Sequence, residues 1–167
     1  MEVKQAKRRR TITWDDPVAA IRNPAMISGK DYLLAIKAGH VAPPPVARLV
    51  GYKVVEVEDG STTFELEPDE YHYNPFATVH GGILATLLDT TMTASVLSKL
   101  SINEICSTAE IKVNFLRPII QKTGLITCKA KVLHIGKVLA TAEGKIFDQK
   151  KRLYAHAVCT CSVFRTL

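Results

Sequence analysis

The segment from Asn74 to Leu100, NPFATVHGGILATLLDTTMTASVLSKL, constrains what this chain can fold into more than any other stretch. Between Gly81 and Ser98 it carries one charged side chain, Asp89. Ile83, Leu84, Leu87, Leu88, Met92 and Val96 recur at helical spacing, over a span too sustained for a single strand. A largely uncharged circumference predicts a helix buried on most sides. A membrane span is argued against by the mid-span carboxylate, the Gly-Gly start and six hydroxyl residues. The expectation is the core helix of a soluble domain, with no membrane partner.

One carboxylate inside such a helix needs a reason. Buried unpaired carboxyls must find donors or lose their charge, and such groups concentrate at functional sites. The plainer reading is that Asp89 caps a kink or pairs with a distant Lys or Arg. Gly81 and Gly82 let a ligand approach the backbone, and the first turn of a helix leaves N–H groups without intrahelical partners. Together with the helix dipole these form an oxyanion site. Asp89 stands eight residues beyond Gly81, about 12 Å along a helix that starts there. That is too far to share one reacting atom. Either residues 80–84 form a loop, or a second subunit supplies one of the two groups.

The run N-P-F-A-T-V-H-G-G-I-L-A-T-L-L-D places Asn six residues before His and Asp seven after the second Gly. It resembles the signature of hotdog-fold acyl-CoA thioesterases of the PaaI-like (phenylacetate-degradation) group, and the likeness runs from about Val46 to Phe164. The resemblance implies an α+β hotdog fold, a long central helix wrapped by a curved antiparallel sheet, with sites formed between two subunits. It implies hydrolysis of an acyl-CoA to free acid and coenzyme A by a homo-oligomer, a dimer or a tetramer. Asp89 would be the general base or the nucleophile. The Gly81 N–H, next to Gly82, would polarise the thioester carbonyl with help from Asn74. His80 would support the leaving thiol or the loop itself, and Thr108, or Ser107 one residue earlier, would orient water. Plainer readings are that Thr108 starts a strand and that Asn74 before Pro75 makes a turn. Coenzyme A brings phosphates, for which Arg117 and Lys137 are the candidates. The coenzyme is part of the substrate. No resident cofactor or metal is expected, since neither H-E-x-x-H nor G-x-G-x-x-G occurs, and the lack of G-x-S-x-G argues against serine-hydrolase chemistry. The alternative is a non-catalytic acyl-CoA-binding module, a sensor or regulator.

The rest of the chain fits one globular domain: 167 residues, 47% hydrophobic and 23% charged. The expected division is a basic tail and helical extension over 1–45 and a hotdog domain over 46–167. Of the net charge of +6, residues 1–10 contribute +4, from Lys4, Lys7, Arg8, Arg9 and Arg10 against Glu2. Such a tail reads as a solvated, mobile end that hydrolysis does not need. Without interleaved aromatic or groove-reading elements, nucleic acid is not an expected partner. Four cysteines without C-x-x-C spacing, and no visible signal peptide, point to the cytoplasm.

Asp15 to Gly39 predicts helix, interrupted at Pro24 and restarted at Ser28, and Pro43, Pro44 and Pro45 then predict an extended connector. By resemblance Leu33, Ile36 and these prolines would shape the acyl end; the plainer reading is a simple packing helix. The sheet is expected from Ala47, with a turn at Asp59-Gly60 and a strand over 62–67. His72 reads as an exposed loop histidine. After the central helix come four strand-like runs, 105–117, 123–135, 138–147 and 153–165, giving about six strands by count. In the first, Ala109, Ile111, Val113 and Phe115 alternate with Thr108, Glu110, Lys112 and Asn114. In the last, Cys159 and Cys161 share the apolar face and read as small core residues, not ligands.

Overall fold

The computed structural model describes residues 7–17 and 27–165. Helices α1 (Gly29–Lys37) and α2 (Pro45–Val50) precede strands β1 (Lys53–Glu58) and β2 (Ser61–Leu66). The long helix α3 (Gly81–Leu97) follows, then β3 (Glu104–Phe115), β4 (Ile126–Ile135), β5 (Leu139–Asp148) and β6 (Leu153–Arg165). The six strands form one antiparallel sheet in the order β1-β2-β4-β5-β6-β3. Helix α3 packs on β2, β3, β4, β5 and β6. Two strands, a long helix and four strands thus form the hotdog architecture expected of them.

Helix α3 is the axis of the core. Leu87, Leu88, Met92 and Val96 are fully buried, each side chain of this kind contributing about 1.5–3 kcal/mol. Buried hydroxyls are costly unless bonded, and all six from Thr86 to the capping Ser98, buried or half-buried, are bonded. Thr86, Thr91, Ser95 and Ser98 donate to carbonyls of α3 itself, Thr90 to Tyr52, and Thr93 pairs with Thr108. Thr62 of β2 donates to the Thr91 carbonyl at 2.8 Å, pinning helix to sheet. Among the described residues no helix is long and apolar enough to cross a membrane.

The N-terminal part departs from expectation at four points. Residues 47–50 are not the start of the sheet but the body of α2. Pro45 occupies the first helical turn, where its missing N–H costs nothing and its fixed φ suits a helix. Gly51, at φ 93°, ends the helix in the left-handed conformation. Next, no regular structure forms over 7–16, and residues 18–26, with Pro24, lie outside the described residues. Helix α1 does begin after Ser28, whose Oγ accepts from the Asp31 N–H at 3.2 Å. Its Gly29 lies so close to α3 that a Cβ would sit 2.0 Å from the Leu97 carbonyl oxygen.

The third departure is the tail, of which residues 1–6 lie outside the described residues. Arg10 is docked, not free. Its guanidinium donates to the Leu49 carbonyl at 2.8 Å and the Arg48 carbonyl at 3.2 Å, and lies 3.9 Å over the Tyr71 ring. Arg8 pairs with Glu70. The fourth is His72, which is only 3% exposed. Its Nδ1 accepts from the Asp69 N–H at 3.0 Å, so Nε2 carries the proton and donates to the Val50 carbonyl at 2.7 Å. Unpaired carbonyls at the end of α2 draw in both side chains.

Candidate active site

A cavity of about 750 Å³ opens between α1, α2, β1, the middle of α3 and the start of β3. Leu33, Ile36, Pro43, Pro44 and Val46 form its apolar wall, and Asp89, Thr90, Thr93, Ser107 and Thr108 supply polar groups. Thr108 Oγ1 donates to Asp89 Oδ1 at 2.6 Å, a charge-assisted length. Behind it, Thr93 and Thr108 share a hydrogen bond of 3.0 Å. Asp89 forms no ion pair among the described residues, which removes the reading in which a Lys or Arg neutralises it. Thr90 donates to the Tyr52 hydroxyl at 3.1 Å. Burial raises the Tyr52 pKa, the Asp89 charge adds to the rise and the Thr90 bond opposes it, so Tyr52 keeps its proton.

A bulge brings Thr108 to Asp89. In the β3–β6 ladder Thr108 pairs with Cys161 and Glu110 with Thr160, leaving Ala109 without a partner. Strict alternation would set Thr108 on the face opposite Ile111 and Val113. The extra residue reverses that parity, so Thr108 bonds to Asp89 on α3 while Ile111 and Val113 still pack on the core. Cys106, two residues earlier, faces the same way and donates to the Thr93 carbonyl at 3.8 Å. Its hydrogen bond with Cys161, and then burial, raise its pKa, which keeps the thiol protonated. Burial pushes Cys128 up to about 12. All four cysteines are free, and Cys128, Cys159 and Cys161 are buried. Among the described residues no three His, Cys, Asp or Glu side chains gather into a metal site.

The remaining candidates lie elsewhere. A second cleft of about 330 Å³ is lined by Asn74, Thr78, Gly81, Phe115 and Arg117, among others. Gly81 is the first residue of α3 and rests against the Phe115 ring, which a Cβ would approach to 3.2 Å. Its N–H has no acceptor among the described residues. His80 caps the helix: its Nδ1 accepts from the Gly82 N–H at 2.8 Å, so that donor is occupied. Asn74 holds the loop before the helix, its Oδ1 accepting from the Phe76 N–H at 2.9 Å and its Nδ2 donating to Thr78 Oγ1 at 2.9 Å. Arg117 Nη1 donates to the Leu153 carbonyl at 2.5 Å. Lys137, exposed between β4 and β5, lines neither cleft.

Since α3 starts at Gly81, a loop over 80–84 is excluded. Gly81 and Asp89 stay about 12 Å apart along one axis and open into different clefts. Tyr52, Thr90 and Thr93 were not singled out from the sequence. Thr93 had a signal, one helical turn beyond Asp89 on the same face; Tyr52 and Thr90 had none.

The description "Thioesterase superfamily" belongs to the family model that matches residues 76–155. Over 114 residues the chain is 32% identical to the 1,4-dihydroxy-2-naphthoyl-CoA hydrolase of Listeria monocytogenes serotype 1/2a (strain 10403S), covering 68% of this chain and 91% of that protein. The chain belongs to the thioesterase superfamily. This thioesterase is also 28% identical to a phenylacetic acid degradation-related protein of Ralstonia eutropha JMP134, with a TM-score of 0.71 over 78% of this chain and 98% of that one. The fold is shared with the E. coli PaaI protein at 21% identity, TM-score 0.70, over 84% and 96% of the two chains. It is therefore a PaaI-like hotdog protein, and its activity is the hydrolysis of a thioester. The matched residues include Gly81, Asp89, Thr108 and Arg117.

Proposed function

We propose that this thioesterase converts an acyl-CoA to the free acid and coenzyme A, at a site shared between two copies of the chain. The observation that carries the reading is Asp89, a carboxylate in a large cavity, bonded to Thr108 and to no cation among the described residues. Thr108 fixes one carboxylate oxygen and leaves the other for water. That oxygen takes a proton from water, whose oxygen bonds to the thioester carbon. The negative charge on the carbonyl oxygen is received by the Gly81 N–H of the partner subunit. Collapse breaks the C–S bond, and the proton held by Asp89 passes to the departing thiolate. In the nucleophilic variant Asp89 itself bonds to the carbonyl carbon, the C–S bond breaks and the thiolate leaves to take a proton from water. A second water then opens the resulting anhydride to the free acid and restores Asp89. Neither route calls for a metal.

The two clefts support a shared site, because Gly81 and Asp89 of one chain stand about 12 Å apart along α3. A second copy also suits the surface. Phe76 (86% exposed), Phe115, Leu116 and Ile120 leave an exposed apolar rim near the second cleft. Strand β3 is an edge of the sheet, with unpaired backbone groups along one side. The acyl body would lie against Leu33, Ile36, Pro43, Pro44 and Val46, and Arg117 would meet a phosphate of the coenzyme.

The test is Asp89→Asn, assayed by thiol release across a panel of acyl-CoA thioesters. Turnover should fall about 10²- to 10⁴-fold, with acyl-CoA still bound. A folded, oligomeric Asn variant within threefold of wild type refutes the role of Asp89. A wild type that releases thiol from no acyl-CoA refutes the substrate class.

A further inference from the structure

The wall of the cavity that contains Asp89 includes a helix that does not hold itself together. Helix α2 has six residues, and no side chain caps its N-terminus. A single short helix of this length is not stable alone. Its last four carbonyls, Ala47 to Val50, are those a helix end leaves unpaired. The Ala47 carbonyl is closed locally by the Gly51 N–H at 2.7 Å. The other three are held from outside. Arg10 takes Arg48 and Leu49, and His72 takes Val50. Arg10 is itself seated on Tyr71, next to Glu70, which holds Arg8. The inner side of the same helix, Val46, Ala47 and Arg48, lines the cavity that contains Asp89.

We propose that Arg10 is a positioning residue for substrate selection, holding α2 in place as the wall against which the apolar body of the acyl group packs. The inference rests on the acyl-CoA reading above. Arg10 touches no reacting atom. A planar guanidinium reaches two successive carbonyls and covers an aromatic ring at once, which a lysine ammonium cannot do. When the fork is removed, α2 loses two of its three outside hydrogen bonds and the wall loosens. Asp89 and Thr108 stand on α3 and β3, so the reacting groups keep their geometry. The effect is then graded with acyl size. Each methylene packed on a firm wall tightens binding about fourfold, and a short acyl group never reaches that wall.

The experiment measures binding and turnover separately, on the full chain. S-dodecyl-CoA and S-methyl-CoA, thioethers that cannot be hydrolysed, are titrated into wild type, Arg10→Ala, Arg10→Lys and Arg8→Ala. In Arg10→Ala the Kd for the dodecyl ligand should rise at least tenfold, against less than threefold for the methyl ligand. Arg10→Lys should recover only part of the loss. Arg8→Ala, which leaves α2 untouched, should stay within threefold for both. The KM for dodecanoyl-CoA should rise with the Kd while kcat changes less than threefold. Equal losses for both ligands, or none, overturn the proposal. So does a loss that vanishes with pantetheine thioesters, which would assign the wall to the coenzyme. If the thioethers discriminate as stated but no acyl-CoA is hydrolysed, the wall stands and the catalytic reading falls.

Discussion

Thr108 offers the sharpest test of how Asp89 is held. Thr108→Val keeps the branched shape on β3 and removes the hydroxyl that donates to Asp89 Oδ1 at 2.6 Å. A hydrogen bond to a charged group contributes about 1.5–3 kcal/mol, equivalent to about 10- to 150-fold in rate if all of it acts in the transition state. Not all of it can, because the bond weakens as Asp89 takes up a proton. What remains is orientation, so the lower part of that range, about 10- to 30-fold in kcat, is expected. KM should stay within threefold, since the acyl body is assigned to the wall of Leu33, Ile36 and Val46 and not to Thr108. Thr108→Ser, which keeps the donor, should stay within threefold of wild type in both constants. The assay is thiol release at saturating acyl-CoA, with circular dichroism and light scattering to confirm fold and assembly. A folded Val variant with unchanged kcat would mean that Thr108 does not hold Asp89 for the reaction. Equal losses in Val and Ser would mean that packing, and not the hydroxyl, is what matters.

His72 should make stability depend on pH. Burial lowers its pKa, Arg10 adds to this, and the Val50 carbonyl and Asp69 oppose it. The unfolded chain therefore binds the proton at a higher pH than the folded one. The contribution is complete above about pH 6.5 and is lost as pH falls from there towards the folded value. Tm measured from pH 8 to 5 should fall below that point, more steeply in wild type than in His72→Gln; identical slopes would remove His72 as the cause. The shared site is tested by mixing Asp89→Asn with Gly81→Pro, which deletes the N–H at a position where proline suits a helix. Each should be inactive alone, while random dimers should regain about a quarter of wild-type activity, because half of them carry one intact site. A monomer by light scattering, or no recovery on co-refolding, ends the shared-site proposal.

The core of this fold is readable in the chain because α3 is so poor in charge. Leu87, Leu88, Met92 and Val96 state their burial by spacing alone, and Asp89 stands out against them. The likeness around His80, Gly81 and Asp89 supplied the family, which periodicity by itself could not. What stayed hidden depends on partners remote in sequence. Val-Ala-Arg-Leu-Val has strand composition, yet Pro45, Gly51 and two distant side chains make it helix. His72 looked like a loop residue because the Val50 carbonyl that buries it is 22 positions away. Charge alone marked Arg10 as solvated, and nothing local shows that it caps a helix 38 positions on. Resemblance groups Asn74 and Gly81 with Asp89, and only the folded chain separates them into two clefts.

The unpaired Ala109 also says something about how such a protein can change. It divides β3 into two registers that count their faces independently. The lower half, from Ile111 onward, answers to the core. The upper half, Cys106 to Thr108, answers to the cavity that holds Asp89. Straightening the strand with Ala109 kept in the ladder would turn the upper half over while leaving the lower half seated, withdrawing Thr108 and presenting Ser107 to α3 instead. Deleting Ala109 would leave Thr108 in place, because Thr108 and Glu110 already face adjacent residues of β6. Which hydroxyl meets Asp89 is thus settled by the register of the strand and not by the residues it contains. Two chains could keep every side chain of this strand and still differ in function by whether one bulge forms, a difference invisible to any comparison that scores identities alone.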